Sequence, residues 1–399
     1  MKIVRKFWWL LLMGLLLRLV IAAVTYHPDV KTPALSSAVV FNGSLNFYQD
    51  SSKFSQTEIL DDLPISYLIL LPGHALGRVL VSSNIENIFL NGADQLFGSV
   101  ELMTYLIYLK LPFIIFDLFL GLVLVAVVTA NYQKKILTLW MFNPVTLWAT
   151  AAVGQFDIIP AFFIVLSILL IKNNKLGWAA FSLGLGASIK IAPFFLLPLL
   201  LWHAKNVKER VKLSFFALIP YALSLIPYVN ISEFRQNALF APQLSKSLFA
   251  LLPVSGGESI ILVPFIVILI YLFYISKKRS SGDFVKYSLV VLLSILSLTH
   301  FHMQWFLWIM PLLLISWIEN FDSILKFSVV LLLISWVVLL FLFEASLQVK
   351  LFAPLIPALD QAKGLLEILP KDQVSLVRNL IASSFAAASF YIGIKTIKS

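Results

Sequence analysis

Apolar runs long enough to cross a lipid bilayer recur along almost the whole chain, and no other feature constrains its fold as much. Phe7 to Thr25, Met103 to Ala130 and Ile136 to about Ala152 are the first three, and further runs follow nearly to the end. A helix of about 20 apolar residues spans the hydrocarbon core. Over 399 residues the chain is 60% hydrophobic and 13% charged, against about 45–50% and 25% in soluble domains. The expected fold is therefore all-α: a polytopic transmembrane helical bundle of about 12 TM helices, with no room for a large soluble domain.

The charges orient this bundle. A net charge of +10 invites a nucleic-acid reading, but Lys and Arg sit in short clusters between apolar runs. Such clusters follow the positive-inside rule. Lys2, Arg5 and Lys6 place the N-terminus in the cytoplasm, as do Lys134-Lys135, Lys172, Lys175, Lys205 to Lys212 and Lys277-Lys278-Arg279 for the inner loops. Acids show the reverse bias, and both termini come out inside. Arg18 interrupts the first apolar run and no small-residue cleavage site follows it, so the run reads as a retained helix rather than a signal peptide. Cysteine is absent, which removes disulfides and thiolate metal sites.

The first loop, about residues 26–102, is the long one. It opens on Tyr26-His27-Pro28-Asp29, where the proline ends a helix leaving lipid. Within it, Leu63 to Gly77 is apolar but broken by Pro64, Pro72 and Gly73, which suits interfacial or re-entrant helices. Leu176 to Ile189 and Ile191 to Trp202 flank Lys190 as a pair of half-length helices. With this topology Asp29, Arg78, Lys110, Gln155, Asp157, Lys190, His300, His302 and Gln304 gather on the outer side. Ionisable groups at membrane depth are costly and mark a functional site or polar cavity. Each has a bland alternative: a solvated loop acid for Asp29, a snorkelling ammonium for Lys190, a helix cap for Gln155 and Asp157. His300 and His302, two residues apart, would diverge on a helix, which argues against a shared metal. Asp117 suits pairing with a buried cation or hydroxyl, and Arg18 either snorkels or binds a phosphate.

Several stretches, in order, carry a resemblance. Tyr26-His27-Pro28-Asp29-Val30 with Asn42-Gly43-Ser44-Leu45-Asn46-Phe47-Tyr48 is similar to the first outer loop of GT-C-type polytopic membrane glycosyltransferases. The branch it resembles most is the prokaryotic one related to the mannosyltransferases of GPI-anchor synthesis. Leu139-Trp140-Met141-Phe142-Asn143-Pro144 through Gly154-Gln155-Phe156-Asp157 resembles that family's third-helix signature. Ser188-Ile189-Lys190-Ile191-Ala192-Pro193 matches its lysine-proline segment, and Thr299-His300-Phe301-His302 with Trp308 and Pro311 its late histidine motif. Many relatives carry a second acid close to the first-loop aspartate; here Val30-Lys31-Thr32 follow it.

The resemblance implies a GT-C-like catalytic module over residues 1–320, with C-terminal helices and a loop over 321–399. It implies transfer of a sugar, mannose first, from a polyprenyl-phosphate donor to a lipid or glycan hydroxyl on the outer face, with inversion. Because polyprenyl phosphate already leaves well, one carboxylate suffices as base for the attacking hydroxyl, and Asp29 is that residue. Lys190, His300, His302, Gln304, Arg78 and Arg18 are the candidates for the donor phosphate and sugar. Gln155, Asp157, Asn143 and Tyr67 are those for acceptor and sugar hydroxyls. No cofactor is expected, and no metal, since cationic side chains can do the work of manganese or magnesium. The implied setting is a prokaryotic plasma membrane, with membrane lipids as surroundings and no nucleic-acid partner. A flippase for a lipid-linked saccharide is the alternative, but it needs polar residues leading inward, and Asp117 and Arg18 are isolated. A glycan polymerase or ligase usually has its large outer loop late in the chain, and a structural subunit needs no one-sided cluster of His, Lys and Asp.

Overall fold

The computed structural model describes residues 2–55, 58–241, 245, 248–276, 280–300, 302–319 and 322–398. Lys277, Lys278, Arg279 and Phe301, named above, lie outside these. The described chain is helical apart from one short hairpin, Leu251–Pro253 against Ser259–Ile261.

Five helices are long and apolar enough to cross a membrane: Ile3–Val24, Val100–Val127, Ser281–Leu298, Ser323–Phe341 and Asp372–Lys398. Two bent pairs, Pro64–Leu80 with Asn84–Leu96 (119°) and Ala130–Met141 with Pro144–Val153 (40°), bring the number to seven if each is one span. These five to seven helices among the described residues do not confirm the expected count of twelve. Residues read as further crossings form shorter helices, among them Ile158–Lys172, Leu176–Ala187 and Leu262–Ile275. At about 1.5 Å per residue, the 15 residues of Ile158–Lys172 reach only about 22 Å, short of the roughly 30 Å hydrocarbon core. Letter counting runs apolar stretches through the turns that end these helices.

The broken segments sit where the sequence places them. Leu63 to Gly77 becomes Pro64–Leu68 and Leu71–Leu80, each with proline in its first turn. Lys190 falls in the break between Leu176–Ala187 and the turn Ala192–Leu196. Leu176–Ala187 crosses Val207–Leu225 so closely that a Cβ on Gly184 would lie 2.0 Å from the Ala217 carbonyl oxygen. The first helix turns Trp8, Leu12, Leu16 and Val20 outward and packs its other side on Val100–Val127 and the π-helical turn Leu147–Val153. A buried ion pair pins this junction: Arg18 Nε donates to Asp117 Oδ2 at 2.7 Å, both side chains fully buried.

The late loop folds back onto the first one. Three 3-10 turns between Ala345 and Gln361 meet it through Tyr26 N–H to Leu351 O (2.8 Å) and Gly98 N–H to Pro354 O (3.0 Å). Residues beyond 320, where no motif is legible, therefore help to build the surroundings of Asp29.

Candidate active site

The first helix ends at Val24, and His27 ahead of Pro28 is extended at φ −129°, ψ 141°. This stop sets Asp29 in a single 3-10 turn, Pro28–Val30. Lys110, fully buried on the long helix, fixes the site from below. Its ammonium donates to Thr25 O (2.6 Å), Thr25 Oγ1 (3.0 Å), Ala152 O (2.8 Å) and Ala22 O (3.3 Å). It thereby joins the carbonyl ends of the first helix and of the π-helical turn, where cations are favoured. Gly154 then reverses the chain at φ +81°, a conformation unfavourable for residues with a Cβ. A Cβ there would also come within 2.7 Å of Val30 and 3.1 Å of the Lys110 stem. This reversal aims Gln155 at the loop, and its Nε2 donates to Asp29 Oδ2 at 2.5 Å.

Two residues on, Asp157 precedes Ile158–Lys172 with its side chain buried. Its nearest side-chain donor is Trp308. Asp157 is electrostatically coupled to Lys190 and Asp62. Lys190 donates to Asp62 Oδ1 in an ion pair. Asp62 is held by its backbone: Tyr48 Oη donates to its carbonyl (2.6 Å), and its N–H donates to Tyr67 Oη (3.1 Å). Ser66 Oγ, donating to Ile189 O at 3.3 Å, ties that turn to the lysine segment. Four acidic residues, Asp29, Asp61, Asp62 and Asp157, thus share the field of one ammonium.

His27 sets the electrostatics of Asp29. The imidazole, nearly buried, lies between the carboxylates of Asp29 (3.4 Å) and Glu344 (3.8 Å), which are 49% and 65% exposed. Burial alone would raise Asp29, but the His27 and Gln155 contacts and the field of Lys190 bring it down to about 2. His27 shows the mirror image: burial disfavours its cation, yet the two carboxylates raise it to about 9. Burial and the neighbouring Asp62 push Asp61 up to about 6 against the pull of Lys190. The Asp29 N–H also donates to His27 Nδ1 at 3.2 Å, so the imidazole caps the turn that carries the half-exposed Asp29.

The remaining candidates divide. His300 stacks on Phe343 at 5.9 Å, His302 lies 5.3 Å from the Trp305 ring, and the two imidazoles are 6.3 Å apart. Gln304 lies in the 3-10 turn Met303–Trp308. Trp305 stacks on Trp308 at 5.1 Å, and Trp308 reaches the side of Asp157. Arg18, Arg78 and Asn143 are engaged elsewhere. Beyond Asp117, Arg18 donates to Met141 O at 2.8 Å and Gly14 O at 3.1 Å, inside the bundle. Arg78 pairs with Glu86 at 3.1 Å and stacks on Phe41. Asn143 caps the turn at Pro144 by accepting from Val145 N–H at 2.9 Å. Tyr67 is buried, and its hydroxyl accepts from the Asp62 N–H at 3.1 Å.

His27, Asp61, Asp62 and Glu344 escaped the sequence reading. The adjacent Asp61-Asp62 ahead of Pro64 is a visible signal, and it supplies by folding the second acid that does not follow Asp29 in sequence. Glu344 has no local signal at all. Among the described residues, no group of three or more His, Asp or Glu is placed to hold a metal ion.

The fold is a helical bundle with membrane-length helices, and its first loop and the lysine segment gather Asp29, Asp62, Asp157 and Lys190 into one charged cluster. The sequence model of glycosyltransferase family 87, a GT-C-type family, matches residues 96–299, just over half of the chain, and the chain belongs to that family. Comparison with curated proteins and with solved structures returned no match. The matched span holds Lys110, Gln155, Asp157 and Lys190; Asp29 and the Asp61-Asp62 turn precede it and the histidines follow it. The chain is an integral membrane glycosyltransferase with sugar donor and acceptor substrates.

Proposed function

We propose that this enzyme transfers a hexose, mannose by the resemblance, from a polyprenyl-phosphate carrier to an acceptor hydroxyl at the outer face of a prokaryotic plasma membrane, with inversion. Both termini are cytoplasmic in this reading, as the positive-inside distribution of Lys and Arg requires. One observation carries it: Asp29 is half-exposed and held from two sides by His27 and Gln155. The acceptor oxygen attacks the anomeric carbon from the face opposite the phosphate, the bond from that carbon to the phosphate oxygen breaks, and Asp29 takes the hydroxyl proton. The carrier phosphate leaves as an anion and needs no acid, unlike the leaving group of a glycoside hydrolase. A base with so low a pKa suffices because the attacking hydroxyl becomes strongly acidic as its oxygen turns positive, while bound substrates exclude water and raise the carboxylate's proton affinity. In this reading Asp62, paired with Lys190, and Asp157, in the field of the same ammonium, accept from sugar hydroxyls.

The test is transfer from radiolabelled polyprenyl-phosphate mannose to extracted membrane lipids by purified protein in nanodiscs, with the product linkage read by NMR. A product of inverted anomeric configuration supports the reading. Retention would refute the single-carboxylate mechanism, and transfer only from nucleotide sugars would refute the carrier.

A further inference from the structure

Lys190 is a poor place for a phosphate. It is paired with Asp62 and stands in the field of Asp61, Asp157 and Asp29, so an incoming anion meets more negative than positive charge there. A different part of the molecule offers what an anion needs.

A cavity of about 440 Å³ opens between the end of Ser281–Leu298, the end of Ser323–Phe341 and the start of Lys371–Lys398. Its polar lining is Thr299, His300, Ser375, Arg378 and Asn379. Ser375, Arg378, Asn379 and Ala382 recur at helical spacing and so share one face of the last helix. The Arg378 guanidinium lies over the Phe343 ring at 5.0 Å, and His300 stacks on the same ring. Among the described residues no carboxylate lies within ion-pair distance of Arg378. A half-buried guanidinium held on an aromatic plate, without a counter-ion, presents its forked donors to the cavity, and a phosphate fits that fork. Beside it the walls are apolar, with Leu339, Leu366 and Met303. Phe343 precedes Glu344, which faces His27, so this cavity adjoins the Asp29 loop through two consecutive residues.

We propose that this cavity binds a phosphate ester carried on a hydrocarbon chain, with Arg378 and His300 holding the phosphate and the apolar wall taking the first part of the chain. The inference deepens the glycosyltransferase reading and rests on it only for who bears the phosphate: the polyprenyl donor or a membrane phospholipid.

Binding of farnesyl phosphate and of farnesol to the full-length protein in nanodiscs tests this without any turnover, by competition against a photoreactive isoprenyl phosphate. Wild type and Asp29→Asn should bind farnesyl phosphate alike. Arg378→Gln should weaken it at least about tenfold, as expected for loss of a charge-assisted pair, and should leave farnesol unchanged. Arg378→Lys should recover part of the affinity. Cross-linked peptides should fall within 299–303 and 366–382. Equal competition by phosphatidylglycerol would support the site and assign it to membrane phospholipid; preference for the isoprenyl phosphate would assign it to the donor. Undiminished farnesyl phosphate binding by a folded Arg378→Gln protein would overturn the proposal. If sugar transfer then persisted, the enzyme reading would stand without this cavity. Arg378-dependent binding with no transfer from any polyprenyl-phosphate carrier would leave the cavity standing and remove the proposed donor.

Discussion

The Arg18–Asp117 pair separates a structural cation from a substrate-binding one, and its loss can be sized from its contacts. Asp117 accepts from Arg18 Nε at 2.7 Å and from Thr150 Oγ1 at 2.8 Å, at fully buried positions. Asp117→Ala strands the guanidinium with only carbonyl oxygens and Thr146 Oγ1 at 3.4 Å around it. Breaking one side of a buried pair costs about 3–5 kcal/mol, whereas exchanging both partners for apolar residues of similar volume is often neutral or stabilising. Asp117→Ala should therefore lower stability by about 3–5 kcal/mol, and Arg18→Met with Asp117→Leu should recover most of it. Denaturant unfolding in nanodiscs, followed by tryptophan fluorescence, reads the difference. Sugar transfer by the double variant should stay within a few-fold of wild type, because the donors of Arg18 are spent on Asp117, Gly14, Met141 and Thr146. A stable double variant devoid of transfer would return Arg18 to the phosphate, and a single variant as stable as wild type would refute the burial argument.

Three further outcomes are expected. Gly154→Ala, forced against φ +81° and a 2.7 Å approach to Val30, should displace Gln155 and cut kcat by at least about tenfold while the protein still folds; wild-type kcat would dismiss the role of this turn. His27, raised to about 9 against an ordinary 6.5, contributes stability that is full below about pH 6.5 and fades as pH rises through 9. Asp29, lowered to about 2, contributes above its ordinary 3.8 and loses this as pH falls through 2. The gap in thermal midpoint between wild type and His27→Gln should accordingly be widest between about pH 4 and 6.5 and close above pH 9, and a gap that is flat across this range would contradict the ion pairing. Chelation with EDTA should leave transfer intact; loss restored by manganese would overturn the metal-free mechanism.

What the sequence made legible follows from which forces act locally. Membrane-length helices, the proline-broken segment after Leu63 and the break at Lys190 come from hydropathy and from residues that interrupt a helix. The number of crossings is not fixed by these signals, because an apolar run reads the same whether the chain continues straight or turns, as at Asn143-Pro144 and Gly154. Asp29 and Gln155 were nominated by type and position, and folding brings them within 2.5 Å. Pairings set by distant segments stayed hidden: Asp62 with Lys190 is separated by 128 residues, and His27 meets Glu344 only because the late loop folds back through Leu351. Arg18 reads the same in sequence as a buried structural cation or a phosphate ligand, and only its partners decide.

The measurement closest to the central claim is sugar transfer from polyprenyl-phosphate mannose by Asp29→Asn beside wild type, both in nanodiscs and matched for folding. The substitution keeps the side chain's size and removes the proton acceptor. Transfer by wild type with at least about a hundredfold loss in the variant, the scale of general-base catalysis, is the predicted result. Equal rates would contradict the account and move the base to another carboxylate of the pocket, Asp157 first.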